Sequence, residues 1–190
     1  MQLKPHDTVV ALKYGCIALS EQSTGKVNGK ISVRAVASSL GISPGEISKS
    51  NQRLVKAKLI APVEESYQKN LPYNLVVTHM QDWLSHGIQY SVIAESMGVG
   101  RGIVTSWSNK AIHSEFVPRE LAYVWLTPGG DTTGEGISPI YPKAPLAARE
   151  DHHLHYILSL IDAIRLGKPR ELNIARGLIR DFMGLIRHAQ

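Results

Sequence analysis

The sequence predicts a helix-rich α+β protein on three observations. Apolar residues recur at helical spacing near both ends, the middle is rich in Gly and Pro between short apolar runs, and positive charge is concentrated at the N-terminus. At 190 residues, 43% of them hydrophobic, the chain can bury a core without staples, and its single cysteine, Cys16, excludes an intramolecular disulfide framework. That usage fits a reducing compartment, so a cytoplasmic protein is expected. Nothing after Met1 reads as a secretory leader, and no apolar run is long enough to span a membrane.

The first helix is expected from Asp7 to Leu19, with Val10, Tyr14 and Ile17 at helical spacing and Asp7 at its cap. Ser20 to Lys30 reads as a flexible loop and Lys30 to Ile31 as a short extended stretch. Ser32 caps a second helix, Val33 to Leu40. Ser43-Pro44-Gly45-Glu46 has the form of a capping box and opens a third helix that runs to about Lys58. Its Ile47 and Leu54 face Val36, Ala37, Leu40 and Ile42, and the stem of Lys58 is expected to turn inward with them. A returning strand from Leu59 to Val63 and a loop from Glu64 to Pro72 follow. A fourth helix is expected from Asn74 to His86, with Val77, Met80, Trp83 and Leu84 inward and Gly87 as its stop.

Ile88 to Pro145 reads as short strands and turns. Its clearest element is a hairpin, Leu121–Leu126 returning as Ile137–Tyr141 around the glycine-rich turn Pro128–Gly136. Two helices close the chain as a helical hairpin, about His152 to Leu166 and Arg170 to Leu185, broken at Gly167-Lys168-Pro169. One carries the apolar stripe Leu154, Ile157, Leu158, Ile161 and Ile164; the other carries Leu172, Ala175, Ile179, Phe182 and Ile186. These stripes are longer than a hairpin needs, so part of this surface, around Leu158, Ile161, Phe182 and Ile186, is expected to be buried against another subunit, as in a homodimer, or against the middle region.

Charge points to a partner. Residues 1–60 carry nine Lys/Arg against three Asp/Glu, residues 61–150 six against nine, and residues 151–190 six against four. A polyanion is drawn to the first segment and repelled by the second. In that segment Ala37, Gly41, Ile42 and Ile47 have the spacing of a helix-turn-helix: a small residue at the crossing, a glycine in the turn and apolar locks on the second helix. With Leu54 and Lys56-Ala57-Lys58-Leu59-Ile60, residues 5–63 resemble the winged-helix regulators of the MarR-like and related superfamilies. The usual aliphatic position of that helix is Asn51 here. The resemblance implies a winged-helix domain over 1–66, with 67–190 as an α+β companion region for dimerisation or partner binding.

Over its whole length the chain is similar to a family of small, mostly uncharacterised bacterial proteins with an N-terminal winged helix. The runs that carry this are Trp83 to Tyr90, Gly100 to Thr105, Val124-Trp125, Gly136, Pro139 to Tyr141 and Leu160 to Glu171. That resemblance implies a loop over Gly100–Thr105.

With Ile47, Leu54 and the Lys58 stem inward, the third helix should present Gly45, Ser48, Lys49, Gln52, Arg53 and Lys56 outward. Ser48, Lys49 and Gln52 are placed to meet base edges. Arg53, Lys56, Arg34 and the Ser43 hydroxyl are placed for phosphates.

Other signals carry less. Residues 90–112 repeat the helix-turn-helix offsets, but Gly100 and Gly102 would weaken the reading helix by about 1 kcal/mol each, and a turn followed by a strand is preferred. Gly98-Val99-Gly100-Arg101-Gly102 could cradle an anion with backbone amides and Arg101 as donors, but a glycine-rich turn is the preferred reading. Gly25-Lys26 lacks the remaining residues of a nucleotide-binding loop. His152, His153 and His155 have metal-ligand spacing without a completing shell, so no metal or cofactor is expected. No catalytic set converges by local pattern.

The leading expectation is thus a non-enzymatic, sequence-specific duplex DNA-binding regulator whose dimers match DNA half-sites. An antitoxin-like module that neutralises a protein partner through residues 70–190, and regulates itself through its winged helix, is the alternative. A ligand sensor or enzyme built around the glycine-rich middle comes third.

Overall fold

The computed structural model describes residues 2–25, 31–63, 71–112 and 120–190, and these form an α+β fold. They divide into two compact units, Met1–Gln81 with Phe182–Gln190, and Asp82–Asp181. The boundary between these units lies inside a helix, and Phe182–Gln190 belong with the first unit. Most of the loop expected at Glu64–Pro72, and Lys30 of the expected extended stretch, lie outside the described residues.

The first unit is built around α1, Pro5–Thr24. It continues through Ser20–Thr24, expected as loop, because Ser20, Ser23 and Thr24 bond back to carbonyls one turn earlier, Thr24 Oγ1 to Ser20 O at 2.7 Å. Gly25, at φ 61°, ends it. The helix is apolar nearly all round, and Val9, Val10, Leu12, Tyr14 and Cys16 are fully buried. It meets α2 (Val33–Leu40), α3 (Pro44–Lys56) and the strand β2 (Tyr73–Leu75). At Gly15 a Cβ would lie 2.7 Å from Ile186 Cδ1, so that glycine admits the C-terminal segment.

After α3 the backbone turns at Lys58, which takes a left-handed φ of 57° and is exposed rather than inward. Its carbonyl accepts a hydrogen bond from His79 Nδ1 at 2.8 Å. The turn delivers β1, Ile60–Pro62, antiparallel to β2 with Ile60 opposite Leu75. Asn74 and Leu75 are thus strand, and the helix expected from Asn74 starts as α4, Val77–Asp82. It does not stop at Gly87. A π-helical turn, Trp83–Gly87, carries it into α5, Ile88–Ser91. A Cβ at Gly87 would meet the Trp83 ring, so the glycine makes room for an indole and is not a terminator.

The second unit contains a closed three-stranded barrel of β3 (Ser96–Val104), β4 (Ala122–Leu126) and β5 (Thr132–Ile137). Both β4 and β5 run antiparallel to β3 and parallel to each other. The expected hairpin is therefore corrected: Leu126 and Thr132 both oppose Gly102, and 127–131 carries the chain across β3 between them. That crossing needs backbone-to-backbone contact. A Cβ on Gly130 would overlap Gly102, one on Gly102 would overlap the Trp125 carbonyl, and one on Gly134 the Ala122 carbonyl. Gly98, Gly100 and Gly102 alternate along a strand, not a turn, and the loop implied for Gly100–Thr105 is strand as far as Val104.

A short 3-10 turn, Ser106–Ser108, and α6, Ala144–Arg149, lead to α7, His152–Leu166, capped by Asp151 and ended by Gly167 at φ 72°. The Leu154, Ile157, Leu158, Ile161 and Ile164 stripe is buried as expected, but so are Ser159, Leu160 and Ala163 on the other side. Finally α8, Pro169–Ala189, leaves the second unit and ends in the first, so it is not the second leg of a hairpin alone. Leu158, Ile161, Phe182 and Ile186 are all at most 4% exposed within one chain. The apolar surplus that suggested a dimer seam is consumed internally.

Candidate nucleic-acid interface

The face presented by α3 begins with the turn that sets its direction. Gly41 adopts φ 63°, ψ 29°, and the Ile42 amide donates to Ala37 O at 3.0 Å, so α2 closes tightly before Ser43 caps α3. The Ser43 hydroxyl accepts from the Glu46 amide at 3.3 Å. Glu46 does not reach back to complete the expected box. Its Oε1 instead accepts from Arg53 Nη2 at 2.8 Å and lies 3.1 Å from both Lys4 Nζ and His6 Nε2.

At about 100° per residue, positions 45, 48, 49, 52 and 56 share an arc of about 100°. The structure exposes all of them, and places Ile47, Ser50, Asn51, Arg53 and Leu54 inside. Lys49, Gln52 and Lys56 project from this stripe as expected, and Arg34 on α2 is exposed as well. Neither Arg34, Lys49 nor Lys56 has a carboxylate within salt-bridge distance among the described residues. The Ser48 hydroxyl donates to Pro44 O at 3.1 Å, which leaves its lone pairs for a base donor.

Arg53 is the correction. It lies about 40° beyond the stripe, close enough for the pattern to count it as exposed, yet its side chain is 7% exposed. Nε donates to Asp7 Oδ2 at 2.7 Å and Nη2 to Asp7 Oδ1 at 2.6 Å. A bidentate ion pair between α1 and α3 outcompetes the outward rotamer, so Arg53 is not a phosphate ligand here. Asp7, expected at a cap, also accepts from the Lys4 amide at 2.8 Å and thereby joins the start of α1 to the middle of α3. The Arg53 bond, followed by that from Lys4, holds the Glu46 carboxyl down at about 2. Hydrogen bonding to Asp7 raises the already high pKa of Arg53.

Asn51, the other departure, is buried against the Tyr14 hydroxyl, which lies 3.0 Å from Nδ2 and 3.2 Å from Oδ1. Burial pushes the Tyr14 phenol up to about 12, the Asn51 bond opposing it. A tyrosine on α1 thus explains why α3 can bury an amide. The cue was the pairing of two polar residues on opposed apolar faces, which one helix pattern cannot reveal.

In the second unit, sequence reasoning missed a buried polar row on α7. His155, Ser159, Asp162 and Arg165 share one face and bond inward. Asp162 accepts from Trp125 Nε1 at 2.6 Å, Thr105 Oγ1 at 2.7 Å and Arg165 Nη1 at 2.6 Å. Burial raises the Asp162 carboxyl, and Arg165 with the other donors pulls it back. Arg165 also donates to the Val92, Ile93 and Ser138 carbonyls. The row joins the barrel to α7; Ser159, Asp162 and Arg165 are buried, and His155 is partly exposed.

His155 Nε2 meets the Val104 carbonyl at 2.7 Å, and burial lowers its pKa. His152 and His153 stack with centroids 3.9 Å apart. Among the described residues no group of three or more His, Cys, Asp or Glu is placed to hold a metal ion, and no helix is long and apolar enough to cross a membrane. No protein-family model, curated protein or solved structure matches this chain.

Proposed function

We propose that the first unit is a winged-helix type DNA-binding head and that the protein binds duplex DNA as a transcriptional regulator. The observation that carries this is the stripe Gly45, Ser48, Lys49, Gln52 and Lys56, exposed on a helix whose other face is locked by Asp7–Arg53 and Tyr14–Asn51. A rigid helix with small residues at its start and unpaired cations along one face is suited to a major groove. The short antiparallel ribbon β1–β2 that follows α3 supports this reading, in which it would serve as the wing. Lys49 and Gln52 offer donors to base edges, Ser48 a hydroxyl, and Lys56 and Arg34 charges for phosphates.

The test is titration of the parent, Lys49→Ala, Gln52→Ala and Lys56→Ala against the protein's own upstream duplex and a scrambled one at several salt concentrations. Lys49→Ala and Gln52→Ala should each weaken the preferred site by about 1 to 3 kcal/mol and affect the scrambled duplex less. Lys56→Ala should weaken both and flatten the salt slope. Unchanged affinities and slopes in folded variants would remove α3 from the DNA.

A second reading, a module that binds a protein partner through the second unit, is favoured by one observation. Tyr90, Ile93, Met97 and Val99 are all more than half exposed within ten residues of chain. Co-purification of a neighbouring gene's product, lost in Ile93→Ser with Val99→Ser, would support it. The expected homodimer would need a surface other than the buried helical stripes.

A further inference from the structure

We propose that Arg101 and Arg149 form a binding site for a phosphate group at the turn 127–131 of the second unit. Arg101 stands on β3 between two glycines, and its Nε donates to Gly130 O at 3.2 Å. Arg149, at the end of α6, donates from Nη2 to Gly129 O at 3.2 Å. Two guanidinium groups from separate elements thus converge on consecutive residues of one turn, whose Cα atoms are about 3.8 Å apart across a trans peptide. Both arginines are exposed.

The missing counter-charge separates this pair from the buried arginines. The buried arginines, Arg53 and Arg165, each hold a carboxylate at 2.6 Å. Among the described residues neither Arg101 nor Arg149 has one within 4.0 Å, although acidic residues stand nearby in the chain. Asp131, on the same turn, accepts from Thr132 Oγ1 at 3.1 Å, Glu150 follows Arg149, and Asp151 caps α7 through the Leu154 amide. Two like charges drawn to one turn repel, and two peptide carbonyls offset this only in part. Among the described residues the remaining N–H groups of both side chains make no hydrogen bond, while Gly129 and Gly130 add no side chain to cover them. A planar pair of forked donors without a carboxylate suits the oxygens of a phosphate, which takes charge-assisted, bidentate bonds from arginine.

This differs from the cradle considered for Gly98–Gly102, whose backbone is part of the β3 ladder. It is also independent of α3. The phosphate could belong to a small phosphorylated ligand or to a nucleic-acid backbone, and the two sources separate experimentally.

Inorganic phosphate is titrated into the full-length protein at constant ionic strength, with chloride as control, while the Gly129 and Gly130 amide and arginine Nε–H resonances are followed. Saturable shifts at these groups are expected in the parent, with at least tenfold weaker binding in Arg101→Gln and Arg149→Gln and partial recovery in the lysine variants. In parallel, duplex affinity is measured against salt for the same proteins. An unchanged salt slope assigns the site to a small phosphorylated ligand, whereas a slope reduced by about 0.9 per arginine assigns it to the duplex backbone. If phosphate does no more than chloride in the parent, or binds the Gln variants as tightly as the parent, and the duplex slopes of the variants do not move, the proposal is overturned. Loss of the Lys49 and Gln52 effects would instead count against the α3 reading alone.

Discussion

Arg53 on α3 and Asp7 on α1 form a two-point ion pair, at 2.7 and 2.6 Å, with both side chains inside the first unit. Removing one member leaves a buried charge without its partner, which costs about 3 to 5 kcal/mol. Arg53→Ala and Asp7→Ala should therefore both lower the urea midpoint strongly. Any loss of DNA affinity in Arg53→Ala should disappear under conditions where the variant is fully folded. A stable Arg53→Ala protein with a reduced salt slope would return Arg53 to the interface.

The Glu46 carboxyl connects the same cluster to pH. Its pKa falls from an ordinary 4.5 to about 2 in the folded protein, chiefly through Arg53. A depressed carboxyl contributes stability that is present above 4.5 and lost as pH falls towards 2. Chemical unfolding of the parent and Glu46→Gln across pH 6 to 2 checks this. The advantage of the parent should shrink through that window, and a gap that stays constant would show that Glu46 gains nothing from its partners.

Glycine substitutions should divide by location. Gly102→Ala places a methyl against the Trp125 carbonyl, where no flexible side chain can yield, and should destabilise the second unit by at least about 1 to 3 kcal/mol. Gly184→Ala, in α8 with nothing within 4 Å, should instead stabilise by about 0.4 to 1 kcal/mol. Thermal melts of the two variants beside the parent decide it, and similar melting points would refute the crossing at Gly102.

Within the buried row of α7, Arg165→Met should cost more than Asp162→Asn. Asp162→Asn disturbs the ion pair and two further donors, whereas Arg165→Met also strips the Val92, Ile93 and Ser138 carbonyls of their partner. Equilibrium unfolding with Trp fluorescence measures both, since Trp125 Nε1 donates to Asp162. Equal losses would mean that the three carbonyl contacts add nothing.

By itself the sequence determined the local elements whose signals lie within one turn of helix. Ser32 and Ser43 cap the helices they were expected to cap, Gly41 and Gly167 end theirs in the left-handed conformation, and the exposed stripe of α3 follows from spacing alone. Tertiary structure decided whatever depended on a partner far along the chain. Arg53 turned inward because Asp7, 46 residues earlier, offers two oxygens, and Asn51 is tolerated in the core because Tyr14 meets it. Gly102 became strand because Gly130 crosses it, and Gly87 continued a helix because the Trp83 ring needs its space. Helical period and capping act over a few residues and are written in order. Ion pairs, buried amides and backbone crossings are chosen only when distant segments compete for the same space and the same hydrogen bonds.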